Sequence, residues 1–253
     1  MRDPWHIWRV SHVYRFAICC TPRCGSQSSM TWFARVHKNE SQLFTDGEWL
    51  TSQQRTLAAS DFYTLALTRD PWSRLVSAYL GKIVKHQKLD TAKDMIKNVR
   101  DLLGQSVPLD EGITFRQFVY ASRMVADDHW RPTLDFITIN PTRSCTPANL
   151  RAELTRLAQH CQFTDIDLPE ENRAKYGPVV NEAFDMMPRE IRAMDAYPRW
   201  DSFYDDALRS EVERRYTRDI ERFGLRWDRA MADLAILGGA DAAPEDAAPE
   251  DAP

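Results

Sequence analysis

Two segments of the chain run from an apolar stretch into a polar turn and then into a helix. In Phe16-Ala-Ile-Cys-Cys-Thr-Pro-Arg-Cys-Gly-Ser-Gln-Ser28 the apolar stretch stops at Thr21-Pro22, and Gly25, Ser26 and Ser28 follow. A turn of that composition at a helix N-terminus aims backbone N–H groups and hydroxyls at an anion. Arg23 adds a fixed positive charge. In Leu67-Thr-Arg-Asp-Pro-Trp-Ser-Arg-Leu-Val-Ser-Ala-Tyr79 the stretch closes at Arg69-Asp70, Pro71 suits a first helical turn, and apolar residues then recur at helical spacing. Arg69 and Ser77 are placed to hold a second phosphate. Either turn alone is matched by an ordinary strand-to-helix connection. The pair together points to a ligand with two anionic groups.

The elements that must position these residues follow from periodicity. Strands are predicted at Phe16–Cys20 and Phe62–Leu67, with helices over Ser28–His37 and from Trp72 onward. Helical spacing also covers Thr91–Leu103, Arg116–Ala126, Asn149–His160, Pro178–Met187 and Tyr204–Phe223. Few strands joined by helices imply parallel pairing and an α/β fold. Pro108-Leu-Asp-Glu-Gly112 reads as a loop, a candidate acceptor rim.

These residues resemble the sulfotransferases that use 3′-phosphoadenosine 5′-phosphosulfate (PAPS), in particular the carbohydrate enzymes of the chondroitin 4-O, dermatan and HNK-1 type. The family's Pro-Lys-x-(Gly/Ala)-(Ser/Cys)-Thr-x loop, which cradles the 5′-phosphosulfate, corresponds to Pro22, Arg23, Cys24, Gly25, Ser26, Gln27 and Ser28. Its Arg-Asp-Pro-(Phe/Trp)-x-Arg-Leu-Val-Ser-Ala-Tyr segment is complete from Arg69 to Tyr79. The resemblance implies that Arg69 and Ser77 bind the 3′-phosphate. Arg74 joins the cofactor-binding candidates, although a helix-capping or structural role is favoured for it; for Arg69 the competing role is an ion pair with Asp70. Weaker echoes follow at Ile113–Val119, Asp128-His-Trp-Arg-Pro132, Asp135-Phe-Ile137 and Tyr216–Gly224. The implied architecture is a three-layer, P-loop-like sulfotransferase fold with a central parallel sheet and a largely helical C-terminal half. It takes residues 1–238 as one domain.

The implied chemistry is sulfuryl transfer from PAPS to a carbohydrate hydroxyl with release of adenosine 3′,5′-bisphosphate (PAP), without a metal. The base should be a histidine or a carboxylate. Of six histidines, only His129 lies in a segment the family shares, and Asp127 or Asp128 stands ready to orient it. A structural role for His129 is the competing reading. His37 is expected at the surface, and Asp46, Glu48 and Asp110 are the carboxylate alternatives. Arg23 replaces the family's loop lysine, which is credited with following the bridging oxygen as charge develops, and Gln27 replaces its threonine. A guanidinium is a wider and permanently charged fork. That departure keeps a non-catalytic PAP- or glycan-binding relative as the alternative. Trp32, Trp72 and Trp130 are expected in the core rather than stacked on a ligand.

The chain has 253 residues, 43 % hydrophobic and 28 % charged, enough for one sizeable core. Its formal charge is −4. The acidic residues Asp241, Glu245, Asp246, Glu250 and Asp251 lie in an Ala/Pro tail that repeats Ala-Ala-Pro-Glu-Asp, which is expected to be disordered over residues 239–253. The remainder carries no basic field for nucleic acid. Five cysteines, with Cys19 and Cys20 adjacent in a strand, fit buried thiols in a reduced, cytoplasmic setting. Thr133-Leu-Asp-Phe136 stands where secretory relatives carry a cysteine pair. No signal peptide or membrane span is apparent, so a soluble bacterial member or a truncated form is expected. The sequence also lacks Gly-x4-Gly-Lys-(Ser/Thr), Gly-x-Gly-x-x-Gly and zinc spacing, which argues against kinases, dinucleotide enzymes and zinc proteins, and none of Cys19, Cys20 and Cys24 opens a Cys-x5-Arg, which argues against a cysteine-phosphatase loop at the first turn.

Overall fold

The computed structural model describes residues 7–37, 62–85, 90–103, 112–164, 167–168 and 176–238. Its centre is a four-stranded sheet of order β1-β2-β3-β4, built from β1 (Trp8–Ser11), β2 (Phe16–Cys19), β3 (Tyr63–Leu67) and β4 (Arg143–Cys145). β2, β3 and β4 pair in parallel, and β1 adds an antiparallel edge. Every residue of β2 and β3 is buried, as expected of strands covered on both faces. Alternation along them sorts the two faces. Phe16, Ile18, Cys20, Leu65 and Leu67 pack with Trp32 and Phe33 of α1 (Ser26–Val36) and with Leu150, Leu154 and Leu157 of α5 (Leu150–Cys161). Ala17, Cys19 and Ala66 face Trp8, Phe136 and Ile137 on the other side. The fold is therefore a three-layer α/β arrangement with one antiparallel strand that the sequence did not announce.

The remaining described elements are α2 (Pro71–Tyr79), a π-helical turn over Leu80–Val84, α3 (Asp90–Leu103), α4 (Phe115–Ala121), α6 (Pro188–Arg192), α7 (Asp206–Arg215), α8 (Thr217–Phe223) and α9 (Trp227–Gly238). They build a second core around Trp72, Tyr79, Phe115, Phe118, Trp130, Trp200 and Phe203. Trp32, Trp72 and Trp130 are buried in the two cores.

Several expectations are corrected. Pro178–Met187 is not a helix: Glu182 takes φ +56°, a short 3-10 turn covers Ala183–Asp185, and Met187 is extended because it precedes Pro188, which opens α6 at its first position. The predicted helix Tyr204–Phe223 starts later and is split. Asp205 caps α7 by accepting from the Leu208 N–H at 2.7 Å, and Tyr216 interrupts the path with φ −106°, ψ 21°. Arg116–Ala126 stops at Ala121, after which Ser122 Oγ donates back to the Val119 carbonyl at 2.8 Å. His37 is buried rather than exposed. It caps the end of α1, stacks on Phe33 and bonds the Phe33 carbonyl and Ser11 Oγ.

His6, His86, Asp46, Glu48, Pro108–Glu111 and the tail from residue 239 lie outside the described residues. The five cysteines are unpaired, and burial raises all of their thiols, Cys20 to about 12 and Cys24 to about 11. Among the described residues no helix is long and apolar enough to cross a membrane.

Candidate functional site

Gly25 sits at φ +83° as the residue that admits α1, a conformation a side chain would strain. No side chain caps that helix and no acidic residue occupies its first turn. Its positive end therefore faces the Pro22–Ser28 turn with backbone donors available to an anion. Pro22, Arg23, Gly25, Ser26 and Ser28 are half-buried, Gln27 is exposed, and Cys24 is buried with its thiol toward the Pro22 carbonyl. Arg23 also occupies the left-handed region, at φ +66°. A non-glycine residue held there is strained, and such strain concentrates at functional positions.

α2 begins where Asp70 accepts from the Ser73 N–H at 2.6 Å and from Ser73 Oγ at 2.5 Å. Ser73, Ser77 and Gly81 then recur every four residues, so one face of α2 and the π-helical turn is lined by small side chains. Two guanidinium groups lie along it. Arg69 donates from Nε to Ser73 Oγ at 2.8 Å and from Nη1 to the Arg23 carbonyl at 3.1 Å. The Arg23 guanidinium lies over Gly81 so closely that a Cβ there would come within 2.4–2.7 Å of it. The half-buried Ser77 stands one turn from each. Burial and the nearby Arg69 charge pull Arg23 below the ordinary arginine range, against the opposing pull of Asp127 and Tyr176. Two like charges brought together with little solvent favour an anion between them.

Arg74 is placed differently. It is 2 % exposed and donates to the Pro22, Arg131 and Asp128 carbonyls at 3.1, 2.7 and 3.2 Å, and to Thr133 Oγ1 at 3.3 Å. Its guanidinium ties the 22–28 turn to the 128–133 loop, with four of its five N–H donors engaged by the protein. Arg74→Met is expected to cost about 3 kcal/mol or more, because several buried carbonyls each lose a partner worth about 1 kcal/mol. A melting temperature near the wild-type value would refute that role.

The 128–133 loop carries His129, and the weaker sequence echoes turn out to be its supports. Tyr216 Oη donates to the Trp130 carbonyl at 2.5 Å, and Asp219 accepts from the Thr133 and Leu134 N–H groups at 2.6 and 3.0 Å. Trp130 Nε1 donates to the Val125 carbonyl at 2.7 Å. Thr114 and Gln117 form a capping box at the start of α4, and the Ile113 carbonyl accepts from Tyr79 Oη. His129 Nδ1 lies 2.5 Å from Asp127 Oδ1, which also accepts the His129 N–H at 2.8 Å. Asp127, not Asp128, is thus the orienting carboxylate. Nδ1 donates in this arrangement, which leaves Nε2 as the basic nitrogen, and the side chain keeps 28 % of its surface. Burial holds the His129 pKa below the usual histidine value, with Arg23 and Lys82 acting in the same sense and Asp127 opposing. These influences favour the uncharged ring.

Asp127, already named as a candidate partner of His129, and two residues the sequence reading missed, Lys82 and Tyr176, complete the cluster. Asp127 ionises below its usual range because its bonds from His129 outweigh burial. Lys82, next to Gly81, is lowered by burial and by Arg23 against the pull of Asp127. Tyr176 brings a buried hydroxyl into the neighbourhood of Arg69 and Arg23. Lys82 could have been noticed as the residue after the glycine that ends the Ser-x3-Ser-x3-Gly stripe; Tyr176 had no local signal. Among the described residues, no group of three or more His, Cys, Asp or Glu side chains is gathered as for a metal ion.

No curated protein and no solved structure matches the chain. A family model described as "Sulfotransferase family" matches residues 6–226. That span takes in both phosphate-type turns, the His129 loop and the helices that support it, and the chain belongs to the sulfotransferase family.

Proposed function

We propose that the chain transfers a sulfuryl group from PAPS to a carbohydrate hydroxyl, releasing PAP. The observation that carries this reading is the convergence of two arginines along the Ser73–Ser77–Gly81 face with the hydrogen-bonded His129–Asp127 pair beside one of them. The buried Arg23 Nε has no hydrogen-bond partner among the described residues, as expected of a donor reserved for an anion. Its neighbours suit the two charged ends of such a donor. The 5′ side would lie on the turn from Pro22 to Ser28 at the α1 N-terminus, and the 3′-phosphate on Arg69 and Ser77.

His129 Nε2 takes the proton of the acceptor hydroxyl as its oxygen bonds to sulfur and the sulfur–bridging oxygen bond breaks. Arg23 then meets the negative charge left on the departing phosphate. PAPS supplies the activated sulfuryl group. The carbohydrate acceptor rests on the resemblance of the motifs, as does the absence of a metal requirement. EDTA is expected to leave turnover intact; loss of activity that magnesium restores would point to phosphoryl transfer instead. Incubation with PAPS and a panel of sugars, scored for PAP release, tests the activity, and PAP binding without turnover would favour a binding relative.

Removing Arg69 is expected to weaken PAP most among the 3′-side residues. Losing a charge-assisted contact to phosphate costs about 1.5–3 kcal/mol, roughly ten- to more than a hundredfold in affinity. Unchanged PAP affinity of Arg69→Ala by calorimetry would remove Arg69 from the site.

A further inference from the structure

We infer that the Tyr176 hydroxyl is a third arm of the anion site, donating a hydrogen bond to the group held between Arg23 and Arg69. Arg23 Nε is buried with no hydrogen-bond partner among the described residues, and Tyr176 Oη, buried beside Arg69, meets there a guanidinium that can only donate to it, so its own O–H proton finds no acceptor among the described residues. Buried polar atoms are nearly always satisfied, so two unused donors in one cluster of arginines point to a partner that arrives from outside. The chemistry of that partner follows from its surroundings. A guanidinium has donors only, whereas a phenol both donates and accepts. With Arg23 and Arg69 flanking it, the phenol lacks an acceptor, and a group that serves all three donors must offer several oxygens and negative charge. A phosphoryl or sulfuryl group does so.

The hydroxyl is held where it is by its backbone. Tyr176 forms a parallel bridge with Tyr197, and the Gly177 N–H donates to the Tyr197 carbonyl at 2.7 Å. A Cβ at Gly177 would lie 3.1 Å from that of Ala196, so the two segments are in close contact. The ring packs against the helical core. Phenylalanine would supply that packing equally well. The hydroxyl is the part that packing does not account for, and burial keeps it protonated as a donor, against the pull of Arg69.

The inference rests on the proposed binding of PAP at these turns, and its test separates the two. Calorimetry with PAP and, in parallel, with pyrophosphate is run on wild type and Tyr176→Phe, together with thermal melts of the ligand-free proteins. The expected result is an unchanged or raised melting temperature, because an unsatisfied buried hydroxyl is removed, with affinity reduced about ten- to a hundredfold. A core role for the hydroxyl predicts the reverse: a lowered melting temperature with ligand affinity intact. That result, or equal affinities in the two proteins, overturns the inference. If wild type binds pyrophosphate but not PAP and the loss persists in the variant, the third arm stands and the nucleotide reading falls. Binding of neither ligand overturns both.

Discussion

Replacing His129 by alanine is expected to lower kcat by about a hundred- to ten-thousandfold while leaving PAP affinity near the wild-type value. The asymmetry arises because the proton moves only in the transition state, whereas PAP contacts the ground state of the enzyme through other groups. His129 is suited to the task by opposing influences. Burial, Arg23 and Lys82 favour its uncharged form, and Asp127 orients the ring with Nε2 as the basic nitrogen. Protonation abolishes the base, so kcat/KM should rise with pH through the His129 pKa, which lies below the ordinary value of 6.5, and then level off. The acidic limb should disappear in His129→Ala. In Asp127→Asn it should move to still lower pH, because the carboxylate that favours the charged ring is gone. A variant that melts lower and binds PAP poorly would identify His129 as a pin of the 128–133 loop. An alanine variant that stays stable and active would move the search to Asp46, Glu48 and Asp110.

Arg23→Ala is expected to lose about a hundredfold or more in kcat, the typical loss on deleting one preorganised donor from a site of developing charge. Its melting temperature should change little, since the guanidinium is already destabilised by burial and by Arg69, and its Nε has no partner to lose among the described residues. Arg23→Lys should retain activity: the ammonium keeps the charge, and the space over Gly81 that accommodates the guanidinium leaves room for it. An alanine variant with near-normal turnover would show that Arg23 serves only to shape the left-handed turn between Pro22 and Cys24.

The strands Phe16–Cys19 and Tyr63–Leu67 and the helices that follow them were legible because their signals are local. An apolar run of strand length, a glycine that accepts positive φ and a proline at a first helical turn each act within a few residues. The same locality explains the failures. Pro178–Met187 has helical spacing, yet Pro188 and the left-handed Glu182 override it, and His37 looks solvent-bound until Ser11 and Phe33 close on it. β1 (Trp-Arg-Val-Ser) and β4 (Arg-Ser-Cys) are short and interrupted by polar residues, so no apolar run marks them as it marks β2; the sheet recruits them through ladder bonds to β2 and β3.

By itself the sequence determined which residue types stand at the two turns and that each turn joins a strand to a helix, since backbone sterics and burial of short runs suffice for that. Only the tertiary structure decided how those turns meet. The Arg23 guanidinium reaches Gly81 across 58 positions of chain, Arg74 ties the first turn to the His129 loop, and Tyr216 and Asp219 hold that loop from the far end. The choice of Asp127 over Asp128 as the partner of His129 depends on how the loop is pinned, and the arrival of Tyr176 beside the arginines depends on a bridge to Tyr197. Contacts of this kind carry no periodic trace in the sequence, because the residues are brought together by the packing of whole elements, and the charges they share acquire their energetic meaning only once water has been excluded around them.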